Sequence, residues 1–590
     1  MAGTEDMAGT EQARRTRRIR GSLRAAVTAA AVTAVAAGVV ACGSSDEPLH
    51  SIGYAIDGAV TTYNANTVDG ATSGARQALA RVQPGFGYVG PAGRVVSDTD
   101  IGTATVMPAD RLTVQYRLAA DSVYSDGVPM SCDDLVLAWA AASGRFTAPN
   151  ETGAVVNVFD SAQRGGYADI DRVDCQPGSK EATVVFRADR GDTDWRSLFG
   201  ATELLPSHVV ARASGVADPV AAITNGDLDA VRRMAEFWNT GWNLTPGTLD
   251  LSLLPSAGPY RIDSYTVDDG LVLVVNERWW GNRPATDTIV VWPRGTGASA
   301  ASEDGRIQVV DSADGALEGI AAGDGATVTT VPSRNVEQLT LATAGVFENP
   351  AARRAFALCI PRAELFEQLG TVGDAPESGI GAGPVDSRIL AADSPLYPGV
   401  AGTASRYTQA DREAAKRELS GSGQDRITVR VGYLGPDPRR ARTVELVAQS
   451  CRDAGIEVVD AASETFTPSQ LTAGQVDAVL AGTAAVAGAG GAADQGDARD
   501  ALHSGTGSNV GGFANRRVDE ILDALLVTDD HAAVAGLAGE AETILWNEMP
   551  TVPLYAQPRA TAFAPGMHTA VANPTTAGAG WNMDRWILTR

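Results

Sequence analysis

Few side chains in this sequence combine the type and spacing that chemistry needs, and Cys132 is the first to question. It lies in VYSDGVPMSCDDLVLAW, Val123 to Trp139, beside the acidic pair Asp133 and Asp134. Ser131 with an acid three residues on forms a capping-box pattern, which puts Cys132 near the first position of a helix. A reduced thiol there has a lowered pKa and can act as a nucleophile. A metal ligand and half of a disulfide are the other two readings. The cysteines contain no CxxC, and His50, His208, His503, His531 and His568 are scattered with no HExxH, so the usual zinc spacings are missing. There is no GxSxG elbow, and Asp133-Asp134 reads as a pair of helix-start acids rather than an acid/base dyad. The expectation is a protein that is not an enzyme, with no catalytic residue, no metal site and no cofactor.

Position in the cell separates the three readings of Cys132. After RRTRRIRGSLR comes an uncharged run, Ala25 to Ala41, rich in Ala and Gly. A basic stretch followed by a short apolar one is the pattern of an export signal, and 17 residues are short for a permanent span. The run ends VVAC, with a small residue before Cys42 and polar GSSDEP after it, which resembles a bacterial lipobox. That resemblance implies cleavage before Cys42, lipidation of its thiol and new amino group, and a place on the outer face of the cytoplasmic membrane. An ordinary signal peptide or a membrane anchor are the alternatives, and Arg17-Arg18 leaves the twin-arginine route open. Cys132, Cys175, Cys359 and Cys451 then remain. An even count in an exported chain favours disulfides, with three connectivities possible and buried free cysteines as the alternative. We favour Cys132–Cys175 and Cys359–Cys451, because each pair joins segments within one expected domain.

The elements that position these residues follow from periodicity. LTVQYRL alternates apolar Leu112, Val114, Tyr116 and Leu118 with polar neighbours, the pattern of a half-buried strand, and Asp126-Gly127 then supplies a tight reversal. SIGYAI reads as a strand, and AGPYRIDSYTVDDGLVLVVNERWWG as two strands around Asp268-Asp269-Gly270. Helical spacing marks DLDAVRRMAEFW, NPAARRAFALCIPRAELFEQL, QADREAAKRELS and ARTVELVAQSCRDAGIEV. The mixture indicates an α/β or mixed α+β protein. Without residues 1–41 the chain has 549 residues, enough for two large domains or three smaller ones. The formal charge of −24 falls to −27 once six arginines and three acids leave with the signal. Such a body does not bind nucleic acid by bulk electrostatics, and it reaches a membrane by a lipid tether rather than by adsorption.

Several of these segments, taken together, resemble the solute-binding proteins of ABC importers, in the oligopeptide- and dipeptide-binding class. The resemblance is carried by VYSDGVPMSCDDLVLAW, LLPSHVV from Leu204, SAGPYRIDSY from Ser256 with NERWWG from Asn276, NPAARRAFALCIPRAEL, SNVGGFANRRVDEIL and MPTVPLYAQPRATAF. It implies a two-lobed fold with a ligand cleft: a signal over 1–41, a lipidated tether over 42–50, lobe I from 51–300 plus 541–590, and lobe II from 301–540. It also implies a peptide or peptide-like solute, ABC permease subunits as partners and a monomer. By position within that class, Tyr63, Asn64 and Asn66 are candidate ligand contacts from lobe I, with Gly482 and Thr483 offering backbone pairing from lobe II. Trp238, Trp242 and Trp581 are candidate pocket walls. One departure stands out: TAAVAGAGGAADQGDARDALHSG lacks the aromatic residue and the aspartate that peptide binders of the class use for the ligand's amino group. Thr483, Ala484 and Ala485 occupy that place, and Asp494 or Asp497 would have to substitute. GAGGAA formally matches a dinucleotide-binding loop, but no βαβ unit with a following acid supports it. The alternative function is a lipoprotein that regulates an envelope enzyme through protein contacts on the same fold.

Overall fold

In Thr113–Leu118 the apolar side chains Val114, Tyr116 and Leu118 are buried while Arg117 faces solvent, so period-two alternation builds this strand as expected. It is an inner strand of a four-stranded antiparallel sheet, in the order Gly102–Val106, Thr113–Leu118, Glu181–Phe186, Ile170–Cys175. The chain then reverses at Gly127, whose φ of +94° suits a residue without Cβ, and enters the helix Cys132–Ala142. Ser131 and Asp134 form the capping box at its start. Cys132 is joined to Cys175 with Sγ–Sγ 2.00 Å, and Cys359 to Cys451 at 1.91 Å.

The computed structural model describes residues 50–150, 153–163, 165–192, 194–374, 376–483 and 495–589. The expected signal, Cys42 and Asp494 lie outside them. Asp46–Arg590 forms one compact unit, and no helix among the described residues is long and apolar enough to cross a membrane.

A ten-stranded sheet runs through this unit. Its order is Tyr260–Thr266, Gly270–Val275, Thr288–Trp292, Ser51–Ile56, Val309–Ala313, Thr551–Phe563, Thr327–Leu341, Ala478–Thr483, Ile427–Gly432, Ile456–Asp460. The hairpin expected around Asp268-Asp269-Gly270 closes with Thr266 opposite Gly270. Helices expected from spacing form at Leu228–Thr240, Pro350–Cys359, Arg412–Gly421 and Pro438–Cys451. Past the last of these, Gly455 at φ +84° turns the chain into Ile456–Asp460.

The apolar cores divide this sheet into two lobes. One core gathers residues between Ile52 and Val309 with Ala579, Met583, Trp586 and Leu588. Another gathers Leu339 to Tyr555, with a helical cluster from Ile389 to Leu545 beside it. Two long antiparallel strands, Thr327–Leu341 and Thr551–Phe563, run from one lobe to the other. Their pairing loses register between Pro332 and Val336, opposite Pro558 and Ala556. On one side of that break Arg559–Phe563 also pairs with Val309–Ala313, and on the other Val336–Leu341 pairs with Ala478–Thr483. Val309–Ala313 pairs in turn with Ser51–Ile56. Residues 309–313 and 327–331 thus pair on the same side of the break as Ser51–Ile56.

Candidate functional site

Beyond the register break the first crossing strand alternates strictly. Ser333, Asn335, Glu337, Leu339 and Leu341 are buried, while Arg334, Val336, Gln338 and Thr340 are half-buried. That second face lines a cavity of about 230 Å³ between the lobes. Lobe I contributes Val68, Ala71, Arg76 and Gln163 to its wall, and lobe II contributes Val385, residues 387–392, Val479, Gly482 and Val510. The second crossing strand closes the floor with Thr551, Pro553 and Ala556. Every residue needed is therefore placed by strand period or by lobe packing, and none by a contiguous motif.

Ala478–Thr483 pairs along its length with the first crossing strand, but with Ile427–Gly432 only at Ala478 and Val479. The other edge of Leu480–Thr483 thus pairs with no strand among the described residues. Gly482 lies on this edge. A Cβ there would stand 3.1 Å from the Gln557 amide, a tight contact with the end of a side chain.

The sequence-derived candidates fall in different places. Gly482 lines the cavity, and Thr483 stands opposite Val336 in the same ladder. Asp497 falls within the helix Gln495–Leu502. Tyr63, Asn64 and Asn66 are buried in lobe I and bond within it: Tyr63 Oη donates to Pro255 O at 2.8 Å, Asn64 to Trp238 O at 2.9 Å and Asn66 to Thr202 O at 2.8 Å. Trp238 and Trp242 pack beside them, with Trp242 Nε1 donating to Leu253 O. Trp581 rests against Tyr88, ring centroids 5.5 Å apart. The arginines at the cavity, Arg76, Arg334 and Arg388, went unremarked in the sequence. Arg334 could have been found by carrying the alternation of VEQLTL back through the strand.

Buried ion pairs brace the crossing. Glu337, fully buried, is 2.9 Å from both Arg439 and Arg440, and Gln557 donates to it at 2.8 Å. Burial alone would raise its pKa, but the two guanidinium groups outweigh that and hold it at about 2. On the lobe I side Arg559 pairs with buried Asp311 at 2.7 Å.

The lobes are closed on one another. Asp69 accepts from the Ser469 N–H at 3.1 Å and hydroxyl at 2.8 Å. Ser508 donates to Ala162 O at 2.9 Å, and the Gly165 N–H to Asp500 at 2.9 Å. Arg190, held by buried Asp169 at 2.8 and 2.9 Å, reaches across to Asp523 O at 2.7 Å.

Cys132, Asp133 and Cys175 are the one group among the described residues with metal-ligand spacing. Both sulfurs there are taken up in the disulfide, which removes the thiolates that a metal or a nucleophilic mechanism needs.

Comparison with known proteins matches this geometry. The description "Bacterial extracellular solute-binding proteins, family 5 Middle" fits residues 103–511. An uncharacterised lipoprotein of Mycobacterium tuberculosis is 42% identical over 544 residues, 91% of this chain and 93% of its own. The oligopeptide-binding protein OppA of the same organism is 23% identical over 523 residues, 85% of this chain and 78% of its own. Among solved structures, the periplasmic EDTA-binding protein EppA aligns with TM-score 0.70 and 21% identity, covering 92% of this chain and 97% of that one. The oligopeptide-binding protein AppA of Bacillus subtilis, in complex with a nonapeptide, aligns with TM-score 0.67 and 15% identity over 92% and 100%. The chain belongs to family 5 of the bacterial extracellular solute-binding proteins.

Proposed function

We propose that this protein captures a peptide or peptide-like solute between its lobes and delivers it, as a monomer, to the permease subunits of an ABC importer. In this reading it is held at the outer face of the cytoplasmic membrane by lipid on Cys42. The observation that carries the proposal is the pair of crossing strands, which joins two separate cores beside a cavity that both lobes line. A solute touching both walls binds the closed form better than the open one, so capture and closure are the same event, and a permease can read the closed shape. The unpaired edge at Leu480–Thr483 supports holding an extended backbone as an added strand. We take the lobes to divide at the register break, with lobe I as 51–332 plus 558–589 and lobe II as 336–556. Relatives named for binding oligopeptides and EDTA support a cleft open to more than one ligand chemistry.

Native mass spectrometry of the full chain, purified in detergent from its own host, tests this reading. A co-purified solute of defined mass that is lost on unfolding is the expected result. A chain that carries no solute and shows no thermal shift with a mixed peptide library overturns the transport reading in favour of the regulatory alternative.

A further inference from the structure

The cavity is small, and its walls are aliphatic on both sides. Val68 and Ala71 line it from lobe I, Val336 from the first crossing strand, and Ala391, Ala481 and Val510 from lobe II, each keeping part of its surface exposed. Among the described residues no Phe, Tyr or Trp lines it. With the lobes closed its volume is about 230 Å³, below the roughly 300 Å³ at which pockets for drug-sized ligands begin. A solute enclosed here is short, and most of what it touches is hydrocarbon.

The charged residues at the wall, among those described, are Arg76, Arg334, Arg388 and Asp500. Arg388 is paired with buried Glu542 at 3.0 Å, and Arg334 with Asp393. Arg76 donates at 2.9 Å to Gln163, which in the amide orientation that satisfies both neighbours donates in turn to Glu203. Asp500 accepts from the Gly165 N–H at 2.9 Å. Each charge thus holds a partner from the chain itself. A charged group on an enclosed solute must displace one of these partners or be buried unmatched, and either is costly. Neutral polar groups are better served. Gln338 and Thr340 share the wall with Val336, and Gln338 Nε2 donates to the Thr340 hydroxyl at 3.4 Å. That is a long hydrogen bond, so an amide group of the solute can take up either side chain at little loss.

We infer that the cleft selects a short, uncharged solute with an aliphatic body and amide groups, a small peptide whose ends are blocked or joined, with Val68, Ala71 and Val336 against the body and Gln338 and Thr340 as partners of an amide. This rests on the solute-binding reading and narrows it. Hydrocarbon held between Val68 of lobe I and Val510 of lobe II loses water on both sides only when the lobes close, so burial of the body itself favours the closed form.

Calorimetry on the full chain in detergent tests the inference with N-acetyl dipeptide methylamides. Affinity is expected to rise from Gly-Gly through Ala-Ala to Val-Val by about fourfold for each added carbon, and Val-Val is expected to bind about tenfold or more tighter than Trp-Trp. Freeing the amino end of Val-Val, its carboxyl end or both adds a cation, an anion or a zwitterion, and each is expected to weaken binding by about tenfold or more. Val336→Thr keeps the shape of the side chain but puts a hydroxyl on the wall, and it is expected to flatten the rise from Ala-Ala to Val-Val. A Val-Val with a free end that binds as well as the blocked form overturns the inference, as does Trp-Trp binding as tightly as Val-Val or a series that does not rise. Silence from every blocked dipeptide also overturns it, and the solute-binding reading itself falls only if native mass spectrometry and the peptide library are silent too. The series is read in the unaltered chain, so a Val336→Thr protein that fails to fold does not shield the inference.

Discussion

Glu337 carries a full charge inside lobe II because Arg439, Arg440 and Gln557 surround it. Its pKa, about 2 in the folded chain, lies below the ordinary 4.5. A depressed carboxylate contributes stability that is complete above the unfolded value and is lost as pH falls through the folded one. Acid unfolding is therefore expected to gain a component between pH 4.5 and about 2. Glu337→Gln should remove that component and cost about 3 kcal/mol at neutral pH, because Arg439 then stays buried without its counter-charge. Urea titrations of both proteins across this range check the expectation, and parallel acid limbs would refute it. At this scale the sequence was legible where partners are local: Ser131 and Asp134 cap their helix three residues apart. It was silent where they are distant, since the residues that surround Glu337 come from a helix about 100 positions later and a strand 220 positions later.

Among the elements, strands and helices with clean periodicity were readable, from SIGYAI to the helix that ends at Cys451. The register break was not. VPSRNVEQLTL alternates straight through it, and only pairing with the second crossing strand reveals where the ladder slips. The cavity was hidden for the same reason, because its walls come from segments near 76, 163, 334, 388, 480 and 510 that no local pattern links. The disulfides staple each lobe internally, closing separations of 43 and 92 residues. Chain-entropy arguments give about 4 kcal/mol for the shorter loop and about 5 kcal/mol for the longer. Cys359→Ala with Cys451→Ala is thus expected to destabilise lobe II by somewhat more than Cys132→Ala with Cys175→Ala destabilises lobe I, measured by denaturant unfolding. Alkylation without reductant should label none of the four cysteines in the unaltered chain, and labelling of Cys132 would return it to the list of reactive thiols.

For the whole molecule, closure depends on close approach as much as on ion pairs. Gly507 of lobe II meets Ser161 of lobe I, and a Cβ on Gly507 would stand 2.0 Å from the Ser161 carbonyl oxygen. Gly507→Ala is expected to wedge the lobes apart and so raise the radius of gyration in solution scattering, with each lobe's own stability unchanged. Arg190→Ala should act in the same direction but more weakly, since Arg190 is partly exposed and its link to Asp523 is screened. A Gly507→Ala chain with unaltered scattering and ligand affinity would mean that this contact does not limit closure.

The crossing strands also decide where mechanical load travels. Ser51–Ile56, the first described strand, lies between Thr288–Trp292 and Val309–Ala313, parallel to both. The last strand, Ile587–Leu588, pairs with Met567–His568, and Trp586 packs on Tyr54 in the same core. Both ends of the described chain are thus rooted in lobe I, while lobe II is an excursion that leaves and returns through adjacent strands. Tension applied at the N-terminal end is borne as shear by the two hydrogen-bonded ladders flanking Ser51–Ile56, ahead of the two crossing strands. Lobe I bears such a load, and lobe II stands outside its path.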